Sequence, residues 1–215
     1  QEVVALPLSF DFPSAKVQEV CLRAYDRDRA RGEKPIINSI TEHRWDLMDL
    51  HGEHGPFKVI LMASERLEDG VAIGNKTADE IYATARHDMS MDDIFIDMSV
   101  SAIIADITAL NRATVDAVRM IHEDPALEGI HMMGGLSNIG QQLPAKAVDG
   151  SSLKHALECA FLTLTVPLGF DTILGTPWKD YTPLADDNYV LATYRNFLDQ
   201  SGSNALRAVR KFYKA

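Results

Sequence analysis

Six short apolar runs, each followed by a segment of helical spacing or a polar loop leading to one, constrain the fold of this 215-residue chain more than any other feature. The first, residues 3–10, precedes Pro13, Ser14 and then Val17, Val20, Cys21, Ala24 and Tyr25, which recur at the i, i+3, i+4, i+7, i+8 spacing of a helix face. Residues 35–40 lead to a shorter helical pattern around 45–50. Residues 57–63 lead to Thr77-Ala78-Asp79-Glu80, a capping box ahead of Ile81, Tyr82 and Ala85. The fourth and fifth runs are 94–98, ahead of a helix around Val115, Val118 and Ile121, and 129–133. Ser151 or Ser152 then caps a helix carrying Leu153, Ala156, Leu157, Ala160, Phe161 and Leu164, closed near Gly169. The sixth run is 170–174, with further helices at 187–198 and 204–213.

Short strands alternating with helices read as successive βαβ units carrying a parallel sheet. Asp11, Asn38, Ser64, Asp97, Ser137-Asn138 and Gly175 directly follow or close the strands, so candidate chemistry collects on the C-terminal rim. An open doubly wound sheet and a barrel both bind ligands there. A closed (β/α)8 barrel needs eight strands and about 250 residues; six are visible, and the sequence starts directly on one. The expectation is therefore one domain over residues 1–215, a TIM barrel whose first two units are absent.

Composition narrows the partners. With 46% hydrophobic and 24% charged residues the chain can bury a sizeable core, and its net charge of −10 argues against a phosphate-binding surface for nucleic acid. No apolar run approaches the roughly 18–20 residues of a membrane span, and the opening residues do not read as a secretory signal. A soluble, cytoplasmic protein with no membrane partner is expected. Cys21 and Cys159 lie in helical patterns without paired spacing, so neither a disulfide nor a zinc site is expected. The histidines at 43, 51, 54, 87, 131 and 155 have no ligand-like pairing and read as surface or core residues; no metal is expected. Met89, Met91, Met98, Met132 and Met133 read as core filler. Trp178 reads as rim lining or a packed loop aromatic, and the basic run 23–31 as a solvated helix face.

Single polar residues at strand ends have bland readings, as turn residues or caps for Asp11, Asn38 and Asp97 and a tight turn for the Gly134-Gly135-Leu136-Ser137-Asn138 segment. Several at the ends of one parallel sheet converge, which favours a pocket. Ile37-Asn38-Ser39, Ile94-Phe95-Ile96-Asp97 and Gly135-Leu136-Ser137-Asn138, in that order, resemble the pterin-binding barrels of the dihydropteroate synthase-like type, in particular the methyltetrahydrofolate:corrinoid methyltransferases. The resemblance runs from about residue 4 to 174, and Gly-Leu-Ser-Asn is its most specific element.

The resemblance implies a pterin pocket holding Asp11, Ser14, Asn38, Met62, Asp97, Gly135 and Ser137, with Asn138 beside N5 as the catalytic residue. It implies tetrahydrofolate or methyltetrahydrofolate as substrate, a cobalamin-type corrinoid carried by a partner protein, a homodimer and a place in one-carbon metabolism. Asp97 suits the parallel donor pair of a pterin's 2-amino group and N3. The sequence departs from the family where Ser14 replaces an asparagine and where Glu158-Cys159 stands for an Asn-Arg pair, and a further strand-borne pterin-binding Asp has no counterpart. Two other readings belong beside it. One is dihydropteroate synthase-type condensation, disfavoured because Ser137-Asn138-Ile139 stands where a basic element is usual; the other is a pterin-binding protein without catalysis.

Overall fold

The computed structural model describes residues 1–41, 44–62 and 89–214. Its strands are β1 (Ser9–Asp11), β2 (Ile36–Ile40), β3 (Lys58–Met62), β4 (Ile94–Asp97), β5 (His131–Gly135) and β6 (Phe170–Leu174). Its helices are α1 (Ala15–Ala24), α2 (Asp46–His54), α3 (Leu110–Glu123), α4 (Leu153–Thr165), α5 (Tyr189–Leu198) and α6 (Gly202–Lys211). The capping box at 77–80, Ser64, His43 and His87 lie outside the described residues.

All strand pairs are parallel and the order is β1-β2-β3-β4-β5-β6. A doubly wound sheet reverses its strand order at a switch point, whereas a barrel advances by one strand per unit. This sheet advances and curls as an open half-barrel, a partial TIM-like arrangement.

Burial alternates along the strands. Ile37, Val59, Leu61, Ile94, Ile96 and Met132 are buried in the hydrophobic core, while Asn38, Met62, Phe95, Asp97 and His131 on the opposite, inner face are only partly so. The core continues through α3, α4, α5 and α6, with Val118, Leu157, Phe161, Tyr194 and Phe212 among its members. Among the described residues, no helix is long and apolar enough to cross a membrane.

Several expected elements are displaced. Only Ser9–Asp11 of the first apolar run pairs with β2, and Val3, Val4 and Leu6 are exposed. On α1 the expected apolar face is not the buried one: Val17 and Val20 are exposed, and Gln18 and Leu22 are buried instead. The helix ends at Ala24, so the basic run continues into a turn, where Arg27 donates to the Pro56 carbonyl (2.7 Å) and Arg29 to those of Gln1 and Glu2. Trp178 is 87% exposed and does not pack in its loop. Gly169 takes φ +83° after α4, the left-handed turn expected there.

A buried polar network fixes α3 against α5. Asp106 accepts from the backbone N–H groups of Leu110 (2.8 Å) and Asn111 (2.8 Å), serving the orphan donors of the α3 N-terminus. The Asn111 amide donates to Asp106 (2.9 Å) and to the Ser101 carbonyl (3.2 Å), and its Oδ1 accepts from the fully buried Tyr194 hydroxyl (3.2 Å). Tyr194→Phe removes one donor and strands a buried acceptor, so urea denaturation is expected to show a loss of about 1–3 kcal/mol. A variant as stable as wild type would mean that this network does not hold the helices.

Candidate functional site on the strand C-terminal rim

Parallel pairing sets the geometry of the rim. Asp11 stands opposite Asn38, Met62 opposite Asp97, and Asp97 opposite Met133. Neighbouring strands lie about 4.8 Å apart, so Asp11 and Asn38 are neighbours, as are Met62 and Asp97. Asn38 is level with Ile60, one inner-face step below Met62, and the β2–β3 register shifts between Asn38 and Ile40. The loops after β4 and β5 are joined by Met98 N–H to the Met133 carbonyl (2.9 Å) and Ile103 N–H to the Ile139 carbonyl (3.2 Å). The sheet therefore gathers Asp11, Asn38, Met62, Asp97 and Gly135 at one end of the strands, with Ser137 and Asn138 in the short turn that follows.

Asp97 is the most perturbed of these groups. Its Oδ1 accepts from the Ser99 N–H (2.8 Å), the turn-type bond foreseen as its structural role, and among the described residues its Oδ2 accepts nothing. Its register partners, Met62 and Met133, are apolar, and among the described residues no cation offsets its burial. Burial consequently pushes its pKa up, only partly countered by the Ser99 bond.

Asn138 is exposed and held by Gln141, whose Nε2 donates to Asn138 Oδ1 (2.8 Å). A Cβ on Gly135 would come within 3.2 Å of Asn138 Nδ2, and one on Gly134 within 2.7 Å of Val100. The two glycines thus make room for Asn138 and for packing of the loop after β4. Asp11 is exposed and has no hydrogen bond or ion pair among the described residues. Ser14 is the N-cap of α1, but its hydroxyl makes no cap bond.

Sequence reasoning missed two groups. At the far end of the inner face runs a polar chain: Lys58 Nζ to Asp92 (3.2 Å), Asp92 to His131 Nε2 (3.3 Å), and His131 Nδ1 to Asp171 (2.7 Å), with His131 stacked on Phe95. Lys58 and His131 together hold the Asp92 carboxyl below its usual range. Its members are scattered through 113 positions of sequence, from 58 to 171, and only the register brings them together. The second group surrounds Glu158 and Cys159 on α4. Glu158 is buried and chelated by Lys179 Nζ at 2.8 Å to both oxygens, and the buried Cys159 thiol, raised by desolvation, lies 3.7 Å from His155 Nε2.

A cavity of about 280 Å³ opens at the end of β6 among Ile173, Gly175, Thr176, Pro177, Lys179 and Tyr181. A larger one, about 440 Å³, lies at the opposite end between the close of α3 and the start of β5, lined by residues such as His122, Glu128 and Gly169. Neither includes Asp97 or Asn138.

In comparisons with known proteins, no family model and no curated relative matches the chain.

The raised Asp97 pKa makes a signed prediction. Between the ordinary carboxylate range and its higher native pKa, the folded chain keeps a proton that the unfolded chain has released, so stability falls as pH rises through that window. Asp97→Asn cannot ionise. Thermal denaturation across a pH series is therefore expected to show the variant gaining on wild type from about pH 4 upward and exceeding it at neutral pH. A difference that stays constant with pH would contradict the buried, cation-free placement of this carboxyl.

Proposed function

We propose that this chain binds a reduced pterin at the strand C-terminal rim and transfers a methyl group between N5 of tetrahydrofolate and the cobalt of a corrinoid carried by a partner protein. The observation that carries the reading is Asp97: a partly buried carboxylate at a strand end, flanked by methionines, which among the described residues has no cation beside it and one oxygen uncommitted. Such a group needs a donor-rich, planar ligand. The 2-amino and N3 hydrogens of a pterin meet both of its oxygens at once, and the ligand's positive-leaning edge offsets the cost of burying the charge.

The other rim residues fit the same ligand. Asn38 offers an amide for a second ring heteroatom, Met62 gives the ring face an apolar contact, and Asp11 and Ser14 add acceptors at the β1 end. In the reaction, the Co(I) of the corrinoid substrate would supply the electron pair of a new cobalt–methyl bond while the carbon–N5 bond breaks; N5 keeps the pair of the broken bond and takes a proton from solvent. Asn138 assists at N5. Gln141 anchors its Oδ1, which leaves the Nδ2 hydrogens for the developing lone pair and a second lone pair on Oδ1 for N5–H once formed. These bonds strengthen only as charge shifts to N5, which is how a neutral amide lowers the barrier. The barrel belongs, on this reading, to the dihydropteroate synthase-like type, working in the cytoplasm as a homodimer that docks a corrinoid protein.

Methyl transfer from methyltetrahydrofolate to free cob(I)alamin, followed by the cobalamin absorbance, tests the proposal. Asn138→Ala is expected to lower kcat by about 10²–10³ with the fold intact, and Asp97→Asn to weaken pterin binding by about 10- to 100-fold. Tight folate binding without transfer in either direction would leave a pterin-binding protein and overturn the enzyme. Condensation of a dihydropterin pyrophosphate with p-aminobenzoate would replace it with a synthase.

A further inference from the structure

Gln18 is a fully buried polar residue on α1, outside the apolar spacing of Val17, Val20, Cys21, Ala24 and Tyr25. Its Nε2 lies 2.9 Å from the Phe10 carbonyl, 2.9 Å from the Phe12 carbonyl and 3.2 Å from the Asn38 carbonyl. The amide orientation is fixed by chemistry, since the flipped form would set an oxygen against three oxygens. Two amide hydrogens serve three acceptors, while Oε1 is buried without a partner. An orphaned buried acceptor is costly, so what the amide nitrogen does must be worth that cost.

The nitrogen's three targets share one property. Phe10 and Phe12 flank Asp11, and the third carbonyl belongs to Asn38 itself. β1 is a strand of three residues whose ladder with β2 ends at the Asp11–Asn38 pair. Asp11 is exposed, and its side chain finds no anchor among the described residues. Without a further tie, the rim end of so short an edge strand would fray. Arg44 donates to the Phe12 carbonyl as well (3.0 Å), but from the exposed side.

We infer that Gln18 is a positioning residue that clamps the rim ends of β1 and β2, fixing Asp11 relative to Asn38 and thereby setting the affinity of the ligand site. The link to affinity rests on the pterin reading; the clamp does not. This also accounts for the rotation of α1, which turns Gln18 inward and leaves Val17 and Val20 at the surface.

The test uses Gln18→Met, similar in length but without a donor, with Gln18→Asn, which withdraws the amide by one methylene, as a second variant should the first not fold. Tyr194→Phe, remote from the rim, controls for general destabilisation. Amide hydrogen exchange on the ligand-free protein is expected to accelerate about tenfold in residues 9–14 and 36–41 while other segments keep wild-type rates. With methyltetrahydrofolate, Kd and KM should rise about tenfold, kcat at saturation staying within about twofold, because the clamp acts before the chemistry. Unchanged exchange at these segments, or a rise spread over the chain as in the control, overturns the clamp. Local loosening without any change in Kd overturns its role in affinity. Local loosening in a protein whose wild type binds no pterin supports the clamp and overturns the pterin reading instead.

Discussion

Parallel pairing of strands in chain order governs everything else in this protein. Each strand must return to the same end of the sheet before the next begins, so every strand C-terminus meets on one rim. Side-chain alternation then separates an outer set that packs, with Ile37, Val59, Leu61, Ile94 and Ile96 buried, from an inner set that is free to carry polar groups. A chain with its strands in another order would bury the same apolar residues but scatter Asp11, Asn38, Asp97 and Asn138.

The inner face is electrically divided along its length. At the N-terminal ends of the strands, Lys58, Asp92, His131 and Asp171 satisfy one another in a chain of ion pairs. Among the described residues the carboxylates at the C-terminal ends have no such partners: Asp97 accepts there from a backbone N–H alone, and its pKa rises with burial. The Glu158–Lys179 pair sits at the corner beyond β6 and neutralises the other buried acid there. Among the described residues, unmet demand for hydrogen-bond donors thus persists at the rim, where a ligand can supply them, and at the buried Asp93 Oδ1 before β4.

Much of this was legible in the sequence because it depends on local pattern. The strand-then-helix alternation, the sixth strand at 170–174 and the convergence of strand-end polar residues all follow from periodicities of two and 3.6 residues together with the parallel rule. What escaped depends on long-range register or on helix rotation. His131 reads as an isolated histidine until β4 and β6 bring Asp92 and Asp171 to it. Gln18 lies outside the apolar stripe of α1, and only the position of the Phe10, Phe12 and Asn38 carbonyls explains why the helix buries it in preference to Val17 or Val20. A Cβ at 134 or 135 would meet Val100 or Asn138, contacts that no local sequence pattern reveals.

A structure of the protein with methyltetrahydrofolate tests the central claim most directly. The account predicts the pterin at the strand C-terminal rim, its 2-amino and N3 atoms within hydrogen-bonding distance of the two Asp97 oxygens and N5 facing Asn138. A pterin bound elsewhere, or one at the rim that leaves Asp97 without a ligand contact, would contradict it.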